Sequence, residues 1–142
     1  MKRIIFVCHG NICRSVAAEF IMKSLTKDFD VCSRAVSREE IGNDIYPPMK
    51  KVLEKNNIPF SKHHALIIDL KDFKEADYIF YMDESNYYYL RKILPYNSKT
   101  FPIYRYTPSI NEIEDPWYTG NFEKVVNELT TCIKDIIKNI DK

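Results

Sequence analysis

The stretch RIIFVCHGNICRS, residues 3–15, decides how the rest of the chain is read. Its first half is a short apolar run, suited to a strand buried on both faces. Its second half breaks into Cys8, His9, Gly10, Asn11, Cys13, Arg14 and Ser15. A chain with four cysteines and three glycines places two of the former and one of the latter here. Helical spacing then takes over, with Ala17, Phe20, Ile21 and Leu25. The segment predicts strand, tight loop, helix.

The same alternation continues outward. FDVCS (29–33) reads as a second strand, and Pro47-Pro48 opens a helix whose apolar stripe is Met49, Val52 and Leu53. DYIFYM (77–82) is a third strand, followed by a helix at 85–94 that Pro95 stops. KTFPIY (99–104) is a weaker fourth strand, its Pro102 suiting an edge. From Phe122 to Ile140 the apolar residues keep an i, i+3, i+4, i+7 rhythm, the clearest helix in the chain. There are no repeats or linkers. Residues 1–142 are expected to form one three-layer α/β domain, a four-stranded parallel sheet flanked by helices, Rossmann-like or flavodoxin-like. Ligands in such sheets bind at the carboxyl ends of strands, which puts the site at residues 8–15. Three scattered glycines cannot supply G-x-G-x-x-G, so a dinucleotide is excluded.

Composition narrows the class. At 142 residues, with 45% apolar and 29% charged residues, the chain is that of a globular protein with a real core. A net charge of +1 gives no reason to expect nucleic acid or an anionic membrane as partner. The basic start and the run IIFV mimic a signal peptide, but the run is too short and lacks a cleavage site. The cysteines are expected to be reduced thiols in the cytoplasm. Cys8, His9, Cys13, His63 and His64 do not carry the spacing of a metal site, so neither metal nor cofactor is expected.

The loop runs from Cys8 through five residues to Arg14 and Ser15, and it suits a dianion. Loop N–H groups of residues 9–14 can point inward, and the helix that follows adds its positive end. Arg14 offers a planar fork for two phosphate oxygens. Cys8 lies in the same positive field, which favours its thiolate and aims a nucleophile at bound phosphorus. Asn11 and Ser15 can hydrogen-bond the loop or the sulfur and hold the loop open.

C8-H-G-N-I-C-R14-S15 resembles the signature C-x-G-N-I-C-R-S-P of the low-molecular-weight protein tyrosine phosphatases, with Val16 where the family has Pro. The likeness spreads over nearly the whole chain, through S33-R-A-V-S, E40-I-G-N43, D77-Y-I-F-Y-M-D-E-S-N86 and D115-P-W-Y118. It implies hydrolysis of phosphotyrosine in proteins, and of small aryl phosphates, through a cysteinyl-phosphate. Cys8 would be the nucleophile, and His9, Gly10, Asn11, Ile12, Cys13, Arg14 and Ser15 the phosphate cradle. Orthophosphate and vanadate would inhibit. Cys13 would pair reversibly with Cys8 under peroxide. Ser33 and His63 would support the loop asparagine, although the family's Arg-Gln after that His is Leu66-Ile67 here. Ile12 stands where a protein-arginine phosphatase branch has Thr, which favours tyrosine.

The leaving phenolate needs a proton. Glu112, Glu114 and Asp115 all lie in the irregular stretch 105–120. The resemblance selects Asp115, the one followed by Pro and two aromatics, as acid and then base. It also implies that Trp117 and Tyr118 form one wall of an aryl slot, with Glu39 on the other and Ile12 between. Asp83 either positions the 105–120 loop or caps its own helix. Cys32 and Cys132 read as structural, and the run Tyr87–Tyr89 as part core, part surface. The rivals are an arsenate reductase, which needs further cysteines as a relay, and a phosphotyrosine-binding module without catalysis.

Overall fold

A computed structural model describes residues 1–142. The strand β1 (Arg3–Cys8) lies inside the sheet, paired in parallel with β2 (Asp30–Ala35) on one side and β3 (Tyr78–Tyr81) on the other. A short β4 (Thr100–Pro102) extends β3, also in parallel, giving the order β2-β1-β3-β4. Parallel neighbours cannot be joined by hairpins, so every connection is a crossover. The crossovers supply α1 (Arg14–Leu25), α2 (Pro47–Lys55), α3 (Leu70–Glu75) and α4 (Glu84–Ile93). A single turn, α5 (Pro116–Thr119), and the long α6 (Phe122–Asn139) complete the chain.

Side chains of β1 alternate across the sheet, as the pleat requires. Ile4, Phe6 and Cys8 enter a large core with α1, α2 and α6, while Ile5 and Val7 enter a smaller one with Ala76, Leu90 and Leu94. The result is the three-layer parallel α/β fold expected from the alternating pattern. Because β1 is buried on both faces, its carboxyl end opens only at the sheet's edge line, between the loops after β2 and β3. That is where Cys8 stands.

The boundaries differ in instructive ways. The ladder of β4 stops at Pro102, short of the expected 99–104, although the Ile103 N–H still reaches the Tyr81 carbonyl at 2.8 Å. Two helices escaped the periodicity because they are too short to show it. The first, α3, is signalled instead by a capping box in which Asp69 and Asp72 exchange backbone hydrogen bonds. The second, α5, is capped by Asp115 and closed by Gly120 at φ +76°. A left-handed residue is what such a C-terminus requires, and glycine adopts it without strain.

The α6 stripe carries much of the larger core: Val125, Val126, Leu129, Ile133 and Ile136 are buried. Ile133→Ala should cost about 2–5 kcal/mol of unfolding free energy, the range for deleting a buried aliphatic side chain. Urea denaturation checks this, with a lower midpoint and an unchanged slope expected. A midpoint equal to that of the parent would contradict the assigned packing.

Candidate active site

Everything at the carboxyl end of β1 turns about Asn11. Its φ is +62°, a left-handed conformation that a non-glycine residue holds only when its surroundings enforce it. They do. The Asn11 N–H donates to Cys8 Sγ at 3.3 Å, and the Asn11 carbonyl accepts from His63 Nε2 at 2.7 Å. The side-chain oxygen accepts from the Leu66 N–H at 3.2 Å. The side-chain NH2 donates to Ser15 Oγ at 2.8 Å and to Ser33 Oγ at 2.9 Å.

The direction of each hydrogen follows from this set. A backbone N–H can only donate, so Leu66 fixes which end of the amide is oxygen. Both serines therefore accept from Asn11. Ser33 passes its own hydrogen to the Glu19 carboxylate at 2.6 Å, and Ser15 is left to donate to Cys8 Sγ at 3.0 Å. The sulfur thus faces two donors, an amide and a hydroxyl, whose polarity suits a thiolate. Burial pulls the His63 imidazole below its ordinary value, and because the Asn11 carbonyl can only accept, Nε2 carries the hydrogen it gives. Cys13 is different: burial pushes its thiol well up, with the neighbouring Cys8 and Asp115 adding to the effect. Of the two loop cysteines, only Cys8 has a sulfur that accepts two hydrogen bonds. All four cysteines are free thiols.

Arg14, at the start of α1, is 2% exposed. Its Nη1 donates to Asp83 at 2.7 Å and to the Ile113 carbonyl at 2.9 Å, and its Nη2 lies 3.6 Å from Asp115 Oδ2. Burial opposes the charge, but Cys8, Asp83 and Asp115 outweigh it and hold the guanidinium firmly cationic. Asp83 caps α4, its other oxygen accepting from the Asn86 N–H at 2.8 Å, and meets the 105–120 loop only through Arg14, whose Nη1 bonds both Asp83 and the Ile113 carbonyl. Ile113 is anchored to Met82 through a 2.9 Å backbone hydrogen bond. The loop that carries Asp115 is thereby tied to the end of β3.

A cleft of about 190 Å³ opens above these groups. Cys8, His9, Gly10, Ile12, Cys13 and Arg14 form its floor, and Glu39, Asp115, Trp117 and Tyr118 its walls. Every wall residue expected from the sequence is present. Asn11 and Ser15 lie beneath the floor rather than on it, both fully buried. Of the three acidic loop residues, only Asp115 faces the cleft. Glu112 accepts from the Glu84 N–H at 2.8 Å, and Glu114 is engaged with Asn121 and Lys124. Trp117 and Tyr118 are 51% and 84% exposed, and Trp117 also leans on Tyr46 at 4.6 Å between ring centroids. It serves as wall and anchor together. Neither Cys32 nor Cys132 lines the cleft.

Sequence reasoning missed Glu19, Glu40 and Tyr46. Glu19 had a readable signal: it follows Ser15 by four residues, so both share one helix face, and that face is otherwise apolar. Glu40 joins the cleft wall and packs against Gly10, where an added Cβ would sit 3.2 Å from its Cγ. Tyr46 has no local signal, because a crossover brings it there.

Fold and site together define a hydrolase class built on a loop cysteine and arginine at the end of a parallel strand. The family model described as "Low molecular weight phosphotyrosine protein phosphatase" matches residues 3–142, and the chain belongs to that family. It is 33% identical to the low molecular weight protein-tyrosine-phosphatase PtpA of Staphylococcus aureus, over 100% of this chain and 96% of that one. Among solved structures it is similar to the low molecular weight protein tyrosine phosphatase of Streptococcus pyogenes, with TM-score 0.91 and 32% identity. That match covers 100% of this chain and 95% of the other. YfkJ of Bacillus subtilis is equally close in fold, with TM-score 0.91 and 30% identity over 99% of this chain and 94% of that chain.

Behind the loop, Asp44 holds the backbone of the segment that carries His63. Its carboxylate accepts from the Ile45 N–H at 2.7 Å and the His63 N–H at 3.0 Å, and pairs with Lys50 at 2.7 Å. The Lys50 ammonium, helped by those two N–H groups, holds the carboxyl at about 2, below its ordinary 3.8. A carboxyl depressed by folding stabilises above its unfolded value and loses that contribution as pH falls toward its folded value. Asp44→Asn should therefore be less stable than the parent at pH 7, and the gap should close as pH falls from about 4 toward 2. Paired thermal melts across that window check the sign. A gap that widened on acidification would refute the linkage.

Proposed function

We propose that this protein hydrolyses phosphotyrosine in proteins, and small aryl phosphates, through a cysteinyl-phosphate. The observation that carries the reading is the setting of Cys8 Sγ. It receives two hydrogen bonds at the floor of a cleft where a buried arginine, Arg14, and a carboxylate within 3.6 Å of it, Asp115, stand beside it. Those three groups supply a nucleophile, a dianion clamp and a proton donor, the set that phosphoryl transfer to a thiolate needs.

In the first step the Cys8 thiolate forms a bond to phosphorus as the P–O bond to the aryl group breaks. Asp115, in its carboxylic acid form, gives its proton to the departing oxygen. Arg14 and the loop N–H groups hold the three remaining phosphoryl oxygens, where charge is spread in the transition state. In the second step the Asp115 carboxylate takes a proton from water. The water oxygen bonds to phosphorus, the S–P bond breaks, and orthophosphate leaves. Trp117 and Tyr118 flank the aryl ring, and Ile12 contributes apolar floor beneath it. Cys13 is the proposed partner of Cys8 in a disulfide formed by peroxide, two thiols losing two electrons between them. The arsenate reductase reading finds no relay, since Cys32 and Cys132 stand away from the cleft and in different cores. No helix is long and apolar enough to cross a membrane.

Cys8→Ser should abolish turnover of p-nitrophenyl phosphate while orthophosphate or vanadate still binds, read by protection in a thermal melt. Residual turnover within tenfold of the parent would remove Cys8 as nucleophile. Asp115→Ala should slow a poor leaving group by about 10²–10⁴-fold, the span of general acid catalysis, and an activated one far less. Comparing phenyl phosphate with p-nitrophenyl phosphate measures this, and equal slowing of both would take the acid role from Asp115.

A further inference from the structure

A second depression lies behind the catalytic loop, and nothing in the hydrolytic chemistry uses it. It is an open groove of about 760 Å³ between the segment after β2, the start of α3 and the outer face of α4. Its base is apolar, with Val36 and Ile68 buried. Its rim is basic: Arg38, Lys71 and Lys92 come from three separate segments. None of the three has a carboxylate within 4 Å. The one acid in the lining, Asp69, is spent on the N-cap of α3, accepting from the Asp72 N–H at 2.8 Å. The Lys92 ammonium rests over Tyr88 and Tyr89, 4.4 and 5.7 Å from their ring centroids.

The groove adjoins the catalytic cleft. The Cys8 carbonyl accepts from the Val36 N–H at 3.0 Å, and the His9 carbonyl from the Ser37 N–H at 3.1 Å, so groove and loop share a backbone seam. Tyr89 lines the groove and packs edge-on against His9, which lines the cleft, at 5.6 Å. Arg38 and Glu39 are adjacent yet line different depressions. On the cleft side the charge is opposite. Glu39 is paired to His9 at 2.6 Å, and Glu40 stands beside it on the wall. An extended chain advances about 3.3 Å per residue, so a few residues reach from one depression to the other.

We infer that this groove binds an acidic segment flanking the phosphotyrosine of a protein substrate, with Arg38, Lys71 and Lys92 receiving its carboxylates. The inference rests on the phosphatase reading above and adds a substrate class to it. Three unpaired cations over an apolar base suit carboxylates mixed with apolar residues. The Glu39–Glu40 wall of the cleft, next to Arg38, repels carboxylates at the cleft itself, so the charge pattern favours acidic residues in the groove rather than directly beside the phosphotyrosine.

The test compares three substrates: free phosphotyrosine, a phosphotyrosine peptide with neutral flanks, and one with three flanking Asp or Glu residues. The parent should favour the acidic peptide over the neutral one by about tenfold in kcat/KM, and added salt should erode that preference. The variant R38E/K71E/K92E should lose or reverse it while turning over free phosphotyrosine as the parent does. The milder R38Q/K71Q/K92Q should fall between the two. Equal kcat/KM for both peptides with the parent overturns the groove alone, as does a variant that slows all three substrates equally. Stronger competition by anionic vesicles or single-stranded oligonucleotide than by the acidic peptide also overturns it, by assigning the cations to another polyanion. Failure of the parent to hydrolyse free phosphotyrosine refutes the phosphatase reading itself and takes this one with it.

Discussion

The left-handed backbone of Asn11 is the constraint on which the site depends. At φ +62° the chain turns tightly enough to bring its own N–H back onto Cys8 Sγ. Such a conformation costs a non-glycine residue about 1–3 kcal/mol and persists only where its neighbours insist on it. Here they do so from three elements: Ser15 on α1, Ser33 on β2, and the His63–Leu66 segment that follows α2. The network is fully paired and directional, running from the Glu19 carboxylate and the Leu66 N–H to the sulfur. A buried polar network of that kind specifies one geometry, because any slip leaves a donor or acceptor unmatched in a dry interior. Loop shape and the hydrogen bonding of the sulfur are therefore set by the same bonds.

Arg14 plays the corresponding part for the distant loop. Its position at the first turn of α1 is local to the cysteine, but its hydrogen bonds reach Asp83 and Ile113, far along the chain. Asp83 is in turn held as the cap of α4. The guanidinium is thus a strut between the ends of β1 and β3 as well as a free fork toward the cleft. The 3.6 Å approach of Asp115 completes the arrangement, keeping the carboxylate at the cleft without closing a tight ion pair.

How much of this was legible in the sequence divides by range. The strand RIIFVC, the loop and the rhythm of α1 and α6 are local patterns, and local patterns survive translation into structure well. Cys8, Arg14 and Ser15 follow directly, because strand, turn and helix leave them little freedom. Asp115 among three acids, and Glu39 opposite it, came from the family resemblance rather than from spacing, and the fold does bring both to the cleft. Glu40 and Tyr46 were silent, since crossovers rather than periodicity deliver them. Short elements were also silent: six residues of α3 and four of α5 contain too few turns for an apolar stripe to stand out. The departures from the family pattern are explained by which atoms matter. Leu66 serves Asn11 with its backbone N–H while its side chain points outward, half exposed, so the side chain found there is free to vary. Val16 sits buried in the first helical turn, where a proline's missing N–H and a valine's unused one are equivalent.

The chemistry and the charge pattern around it are separable, and the separation has a structural cause. Cys8, Arg14 and Asp115 at the cleft come from β1, the start of α1 and the loop before α5, tied together by buried hydrogen bonds. Groups that set the surrounding field come from exposed side chains after β2, on α3 and on α4. Exposed charges move freely in sequence because each carries little of the folding free energy. The cleft therefore carries an acidic wall next to a basic groove, and both can be altered without touching the loop. Because the groove shares its backbone seam with Cys8 and His9, whatever occupies it is held close to the cleft. Its position bears on selectivity more than on rate: free phosphotyrosine never reaches it, and only a longer chain can.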